Sequence, residues 1–443
     1  MSKSIPCGLM AFAAAASLLP GQESKPAVGG WSSKPGAGLK YDGGDAFSLT
    51  VLGRIQVHYT YSANESFGSA AATASPGADT SSFNIRRARL NLTGHVFDKN
   101  ITYAFILDAV DATSPIKRAW VQWNFASSET GKMGMRVGQA KTVFGLESAG
   151  SSGSLWFVER SSASRAFSDV NSRGAWFNGV MGDNKLRWSA GAMNTEVAGG
   201  LGGAGTDSQG LSITGSAERG EETANSDNEL SYVISANFDP LGDFFDGKQT
   251  IEAFKQGDWR TDKEDTSLKG TVGVGVAIGN GKTDSPAAIP VGNRPDIEST
   301  SLNFNTAWTV SKLYVLGEYF MRTDDLQRPA ATDEEEAMGY AVSVGYLLPK
   351  SGESKVQWGV GVRYNYIETD DGTPGSGVDF LTGAQGIGSD LGEVSELSVV
   401  LNAFYHGHAC KTQIEYTMQD VDAEAANFDR KNHLVRVAFQ LDF

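Results

Sequence analysis

Cysteine, proline and histidine are all scarce in this chain of 443 residues, which holds two, thirteen and five of them. Positive charge is in deficit too: 37 Lys and Arg face 52 Asp and Glu, for a formal net charge of −15. Long apolar runs are missing altogether. No stretch reaches the roughly 18 apolar residues that a spanning helix needs, so a helical membrane protein is excluded. Of the two cysteines, Cys7 lies in what is expected to be an N-terminal leader, and removal of that leader would leave Cys410 alone. An internal disulfide in the mature chain is thereby excluded.

The histidines bound the chemistry. His58, His95, His406, His408 and His433 lie near no serine that would complete a nucleophile and base pair, which argues against an enzyme. "HGH" at 406–408 sits on a tight turn and lacks further ligands at metal-binding spacing. "DVDAEAANFD" at 420–429 has alternating carboxylates but no complete calcium-loop pattern, so these acids read as solvated. "GVGVGVAIGNG" does not fit a dinucleotide fingerprint. No cofactor, metal or nucleic-acid partner is expected.

What the chain does contain is glycine, 53 residues of it, and alternation. Residues 1–22, "MSKSIPCGLMAFAAAASLLPGQ", have the lysine, short apolar run and small residues of a secretory signal, with a cut expected between Ala14 and Ser24. Residues 23–46 are rich in Gly, Ser, Lys and Pro without periodicity, and are expected to be a flexible lead-in without regular structure. From 47 to 443 apolar and polar side chains alternate in segments of about ten residues separated by turn residues, the signature of a transmembrane β-barrel.

Strands are expected near 47–61, 83–97, 100–110, 116–126, 132–139, 173–182, 184–194, 230–238, 268–279, 299–309, 312–322, 337–347, 355–368, 394–406, 409–419 and 432–443. That makes an all-β, sixteen-stranded antiparallel barrel, the even number that bacterial single-chain barrels have. Short links such as "DKN", "GDN" and "SK" alternate with long ones, 140–172 and 195–229 among them, as periplasmic turns and external loops should. The segment 239–267 is long for a periplasmic turn and is read as an excursion rather than an extra strand. The acids of Glu218–Glu222 and of 333–336 are expected in external loops. Phe83 and Phe97 suit the aromatic girdles, and the last strand puts Val435, Val437, Phe439, Leu441 and Phe443 on one face.

Because side chains alternate faces along a strand, each cation can be sorted by its phase. Leu90, Leu92 and Val96 mark the lipid side of "FNIRRARLNLTGHVF", which sends Arg87 and Arg89 inward and leaves Arg86 in lipid phase, able to snorkel. The same sorting sends Arg54, Arg118, Arg136, Arg187, Arg363, Lys411 and Arg436 inward. Inward acids are fewer: Asp108, Glu318, Glu396, Glu415 and Asp442. Once the last strand closes on the first, Arg436, Arg54, Arg87 and Arg89 neighbour one another, with Arg118 and Arg136 further round. Such a wall would raise the local concentration of small anions, since guanidinium forks match phosphate oxygens. A constriction loop over 140–172 would add Lys141, Glu147, Glu159, Arg160, Arg165 and Asp169. Two alternatives stay open: a non-selective general-diffusion pore, and a plugged barrel acting as adhesin or surface anchor.

The stretch "GQAKTVFGLESAGSSGSLWFVERSSASRAF", followed by "SRGAWFNGVMGDNKLRWSAGAMN", resembles the phosphate-selective porin O and P family, as do the opening strands "FSLTVLGRIQVHY" and "FNIRRARLNLTG". The resemblance implies an outer-membrane location in a Gram-negative-type bacterium, a homotrimer, an inward-folded third external loop, and passage of phosphate or other small anions. Val143 stands where the family commonly has proline, and the acid-rich loops depart from the family's lysine-rich vestibule.

Overall fold

A computed structural model of the chain describes residues 29–68, 80–110, 115–128, 131–168, 171–194, 230–246, 248–260, 266–282, 296–328, 331–350, 354–369, 393–423 and 428–443. The expected signal, the acids at 218–222 and Asp169 fall outside them. The first two strands, β1 (Gly30–Lys34) and β2 (Gly38–Asp42), form a hairpin where a lead-in without regular structure was expected. Trp31 against Tyr41, partners in the register, supplies its apolar contact.

Sixteen longer strands follow: β3 (Phe47–Gly68), β4 (Thr80–Val96), β5 (Asp98–Asp108), β6 (Ile116–Ser127), β7 (Lys132–Lys141), β8 (Asn171–Met181), β9 (Leu186–Asn194) and β10 (Ser231–Phe238). The second half comprises β11 (Lys269–Lys282), β12 (Asp296–Val310), β13 (Leu313–Arg328), β14 (Ala331–Leu347), β15 (Gln357–Thr369), β16 (Glu393–Phe404), β17 (Cys410–Ala423) and β18 (Phe428–Asp442). Each pairs antiparallel with the next, and β18 returns to β3, so the ring closes and leaves no edge among these sixteen. Below the end of β18, β2 continues the ladder along β3, from Leu39 opposite Val51 to Asp42 opposite Ser48. Among the described residues no helix is long and apolar enough to cross a membrane.

All sixteen expected strands are present. The structure lengthens several at one end, so that 323–328 and 331–336, expected as loop, pair with each other as strand, and 420–423 pairs with 428–431. At the other end the turns are tight. Ser311 and Lys312 both adopt positive φ, 43° and 75°, the mirror-image hairpin geometry that matches strand twist.

The alternation sorts faces as expected along most of the ring. Ile55, Leu90, Val121, Val137, Val399 and Phe439 point outward, while Gln56, Gln122, Arg136, Ser398 and Gln440 are buried. One expectation fails. In the β3–β4 ladder Gln56 faces Arg87 but Val57 faces Ile85, so Arg86 is an extra, bulged residue. A bulge reverses the parity of everything beyond it. Arg86 therefore turns inward instead of snorkelling into lipid, and Phe83 and Ile85 turn outward, Phe83 at 79% exposure.

The buried apolar core is built with two connections. Segment 142–168 joins β7 to β8 and contains α1 (Leu146–Ala149), a 3₁₀ turn (Ser152–Ser154) and α2 (Ser162–Phe167). Segment 239–260 leaves β10 at the opposite end of the ring and contains a 3₁₀ turn, Ile251–Ala253. It adds no strand. Val143, Leu146, Trp156 and Phe157 of the first segment share one cluster with Phe245, Ile251 and Phe254 of the second and with Tyr314, Leu316, Val400 and Phe404 of the strands. Phe144, Ala163, Ala166 and Phe167 pack with Trp176, Phe320, Ala341 and Ile367 in another.

Candidate functional site

The inward arginines nearest the closure lie on β18, β3, β4, β6 and β7, and acids meet most of them. Arg54 on β3 makes a bidentate pair with Asp442 on β18, both contacts 2.7 Å. Arg87 on β4 grips both oxygens of Glu159 at 2.7 and 2.9 Å, and Arg86 reaches the same carboxylate at 3.1 Å. Arg89 bonds Asp108 at 2.7 Å. Arg136 on β7 donates to Gln122 and to Glu252, and its guanidinium lies 4.3 Å over the Trp120 ring. Arg436 pairs with Glu415 and donates to Thr417 at 3.2 Å. Arg118 donates to Asn171. Of the six residues expected to form one wall, the register sets Arg54 directly opposite Arg89.

The other three expected cations are dispersed. Arg187 binds Asp239 and Asp243 of segment 239–260 at the end of β9. Arg363 donates to the main-chain carbonyl of Glu159 at 2.8 Å and stacks 4.4 Å over Phe157. Lys411 donates to the Leu155 carbonyl at 2.7 Å. Each thus anchors a connection to the strands. Lys117, buried at a second bulge where Ile106 faces Arg118 and Leu107 faces Ile116, is an inward cation that alternation alone misses.

Segment 142–168 brings its own charges. Lys141, the last residue of β7, donates to the carbonyls of Ser148, Ala149 and Gly150, a cation at the C-terminal end of α1. The α1 amides of Leu146 and Glu147 donate to Glu318 on β13. Glu147 accepts from Ser161 and Gln256, and Arg160 donates to the carbonyls of Glu147 and Gly150. Arg165 lies in the last turn of α2, where a cation suits the helix dipole. The Ser161 hydroxyl accepts from the Ser164 amide and caps the start of α2.

Burial by itself would raise the Glu159 carboxyl, but the Arg87 and Arg86 charges outweigh it and hold the group well below the usual carboxylate range. Glu252 is likewise lowered, by Arg136 and Arg118 against the effect of burial. Burial pushes His408 well below its usual value, and Lys411 adds to the effect. Its ring is therefore neutral, and Nε2–H donates to the Gln256 carbonyl at 2.7 Å. The "HGH" turn anchors segment 239–260 in this way. Among the described residues no group of His, Cys, Asp and Glu is placed to hold a metal.

The two segments are clasped through Gln256 and Trp156. The Gln256 amide donates to the Ser154 carbonyl at 3.1 Å, and its side chain accepts from the Trp156 amide at 2.6 Å. The Trp156 ring fits a bay on the wall because Gly345 on β14 and Gly361 on β15, partners in the register, have no side chain there. A Cβ on either would lie 2.6 Å from a ring atom.

The model of the phosphate-selective porin O and P family matches residues 55–443. The chain belongs to that family. This porin is accordingly an outer-membrane channel of a Gram-negative-type bacterium. No curated protein matches it. Among solved structures, the outer membrane channel DcaP of Acinetobacter baumannii is similar at 11% identity and a TM-score of 0.53, over 90% of this chain and 98% of that one. An anion-selective porin from Comamonas acidovorans matches at 9% identity and 0.50, over 89% and 100%. OmpT of Vibrio cholerae, in a trimer form, matches at 10% and 0.49, over 89% and 100%. At such identities the likeness concerns the fold of this porin and nothing finer.

Proposed function

We propose that this porin is a passive channel for small anions, phosphate among them. Arg54, Arg87, Arg89, Arg118, Arg136 and Arg436 are the attracting wall, and segment 142–168, folded inward, is the constriction. One observation carries the reading. In a chain of net charge −15, the buried cations among the described residues outnumber the buried acids. The cations are Arg54, Arg87, Lys117, Arg136, Lys141, Arg160, Arg187, Arg322, Arg363, Lys411 and Arg436, and the acids are Asp108, Glu147, Glu159, Asp239, Asp258, Glu318, Glu396, Glu415 and Asp442. Half-buried Arg86, Arg89 and Arg118 add to the cations, and half-buried Glu252 and Asp243 to the acids. Within low-dielectric walls that excess acts on passing ions more strongly than solvated loop acids do. The family's description as phosphate-selective supports the same direction, and the family resemblance supports a homotrimer.

A second reading has an observation of its own. Segments from opposite ends of the ring meet in one apolar cluster, which suits a plugged barrel serving as adhesin or surface anchor. Chloride current in a planar bilayer, its block by added phosphate, and the weakening of that block in Arg87→Ala/Arg89→Ala test the first reading. A barrel that inserts but passes no current supports the second.

A further inference from the structure

Arg87 presents a planar fork to two oxygens of one carboxylate, the arrangement in which guanidinium recognises carboxylate and phosphate alike. The bulge adds the Arg86 Nε to the same oxygen that Arg87 NH1 holds. His58, buried on the neighbouring strand, leaves its Nδ1 without a hydrogen-bond partner. This is a built oxyanion site, and the oxyanion in it belongs to the chain. Glu159 arrives there on segment 142–168, held by two further contacts: its carbonyl accepts from Arg363 at 2.8 Å, and the preceding amide, of Val158, donates to Glu415 at 2.7 Å.

We propose that Glu159 is the specificity-determining residue of the channel, a tethered carboxylate seated in the Arg86 and Arg87 site that sets how strongly phosphate binds there. The inference rests on the anion-channel reading and deepens it. A ligand carried on the same chain competes at a high effective concentration, so free phosphate must displace it to bind. Its charge also offsets that of Arg87 toward passing ions. The site is therefore muted, and the mute is a single carboxylate.

Glu159→Gln keeps the shape and removes the charge. In planar bilayers the chloride-to-potassium permeability ratio of this variant rises above wild type, and the phosphate concentration that halves chloride current falls by about tenfold, one order in affinity. Arg87→Gln, which leaves Glu159 facing Arg86 alone, moves the ratio toward potassium, and Glu159→Gln/Arg87→Gln loses the gained phosphate block. Heat-modifiable mobility on gels establishes that each barrel has folded, and Arg87→Gln decides the matter if Glu159→Gln does not assemble. Wild-type ratios and block in both single variants overturn the role of Glu159 and leave the anion reading intact. A cation-selective wild type beside an anion-selective Glu159→Gln supports the role and overturns the anion reading for the native channel. No current from any variant overturns both.

Discussion

Trp156→Ala removes the largest side chain that ties segment 142–168 to the strands. The ring is fully buried, lies 5.4 Å from Phe404 and 6.2 Å from Tyr314 between centroids, and donates through Nε1 to the Val360 carbonyl at 3.2 Å. Truncating a buried tryptophan costs about 3–5 kcal/mol, because the cavity adds to the lost transfer energy. The bay cannot collapse onto it, since Gly345 and Gly361 belong to a closed ladder whose strands are held on both sides. The docked-to-released ratio of the segment therefore falls by roughly two to three and a half orders of magnitude, at about 1.4 kcal/mol per factor of ten. Hydrogen exchange of the barrel in detergent reads this directly. The amides of Gly150, Val158 and Ala163 lose protection together, while those of the β14–β15 ladder keep theirs. Unchanged protection at those three positions in a folded Trp156→Ala barrel refutes the argument that the tryptophan and its glycine bay dock the segment.

Other consequences follow from the same contacts. Gly361→Val puts side-chain atoms where the Trp156 ring lies, so it releases the segment as Trp156→Ala does, and the double variant is no worse than either alone in exchange. Arg187→Ala leaves Asp239 buried without its cation, a loss of about 3–5 kcal/mol that lowers the temperature at which the barrel loses heat-modifiable mobility. Val399→Arg, outward near the middle of β16, costs about 2–4 kcal/mol of insertion free energy in folding titrations with lipid vesicles. Acid has a definite sign at Glu159. Its folded pKa lies below the ordinary 4.5, so its contribution to docking is complete above that value and is lost only as pH falls further, through the folded pKa. Exchange protection of segment 142–168 that already drops between pH 6 and 5 contradicts this.

Much of the ring was legible because its signal is local. Period-two alternation reports faces strand by strand, so Arg54, Arg87, Arg136 and Arg436 could be placed inward without knowing their neighbours. The same rule failed at Arg86, since a bulge is set by the register with the facing strand and leaves no mark in the bulged residue itself. The strand extensions at 323–328 and 331–336 escaped notice for a related reason: runs of acids read as loop, yet strands pair through their backbones whatever the side chains. The partners of the arginines were the least legible part. Glu252, Asp239 and Asp243 lie on a connection without periodicity, and only the closed ring brings them to Arg136 and Arg187. Glu159 was recognised as a charge of the loop, but nothing in "VERSS" says which strand it meets.

The zero-current potential of the wild-type barrel under a KCl gradient decides whether the arginines or the loop acids govern permeation. An arginine wall that prevails over the acids of the loops gives the sign of chloride permeating faster than potassium, and added phosphate reduces the current. A potential of the opposite sign contradicts the account, because the acids would then govern the ions that pass.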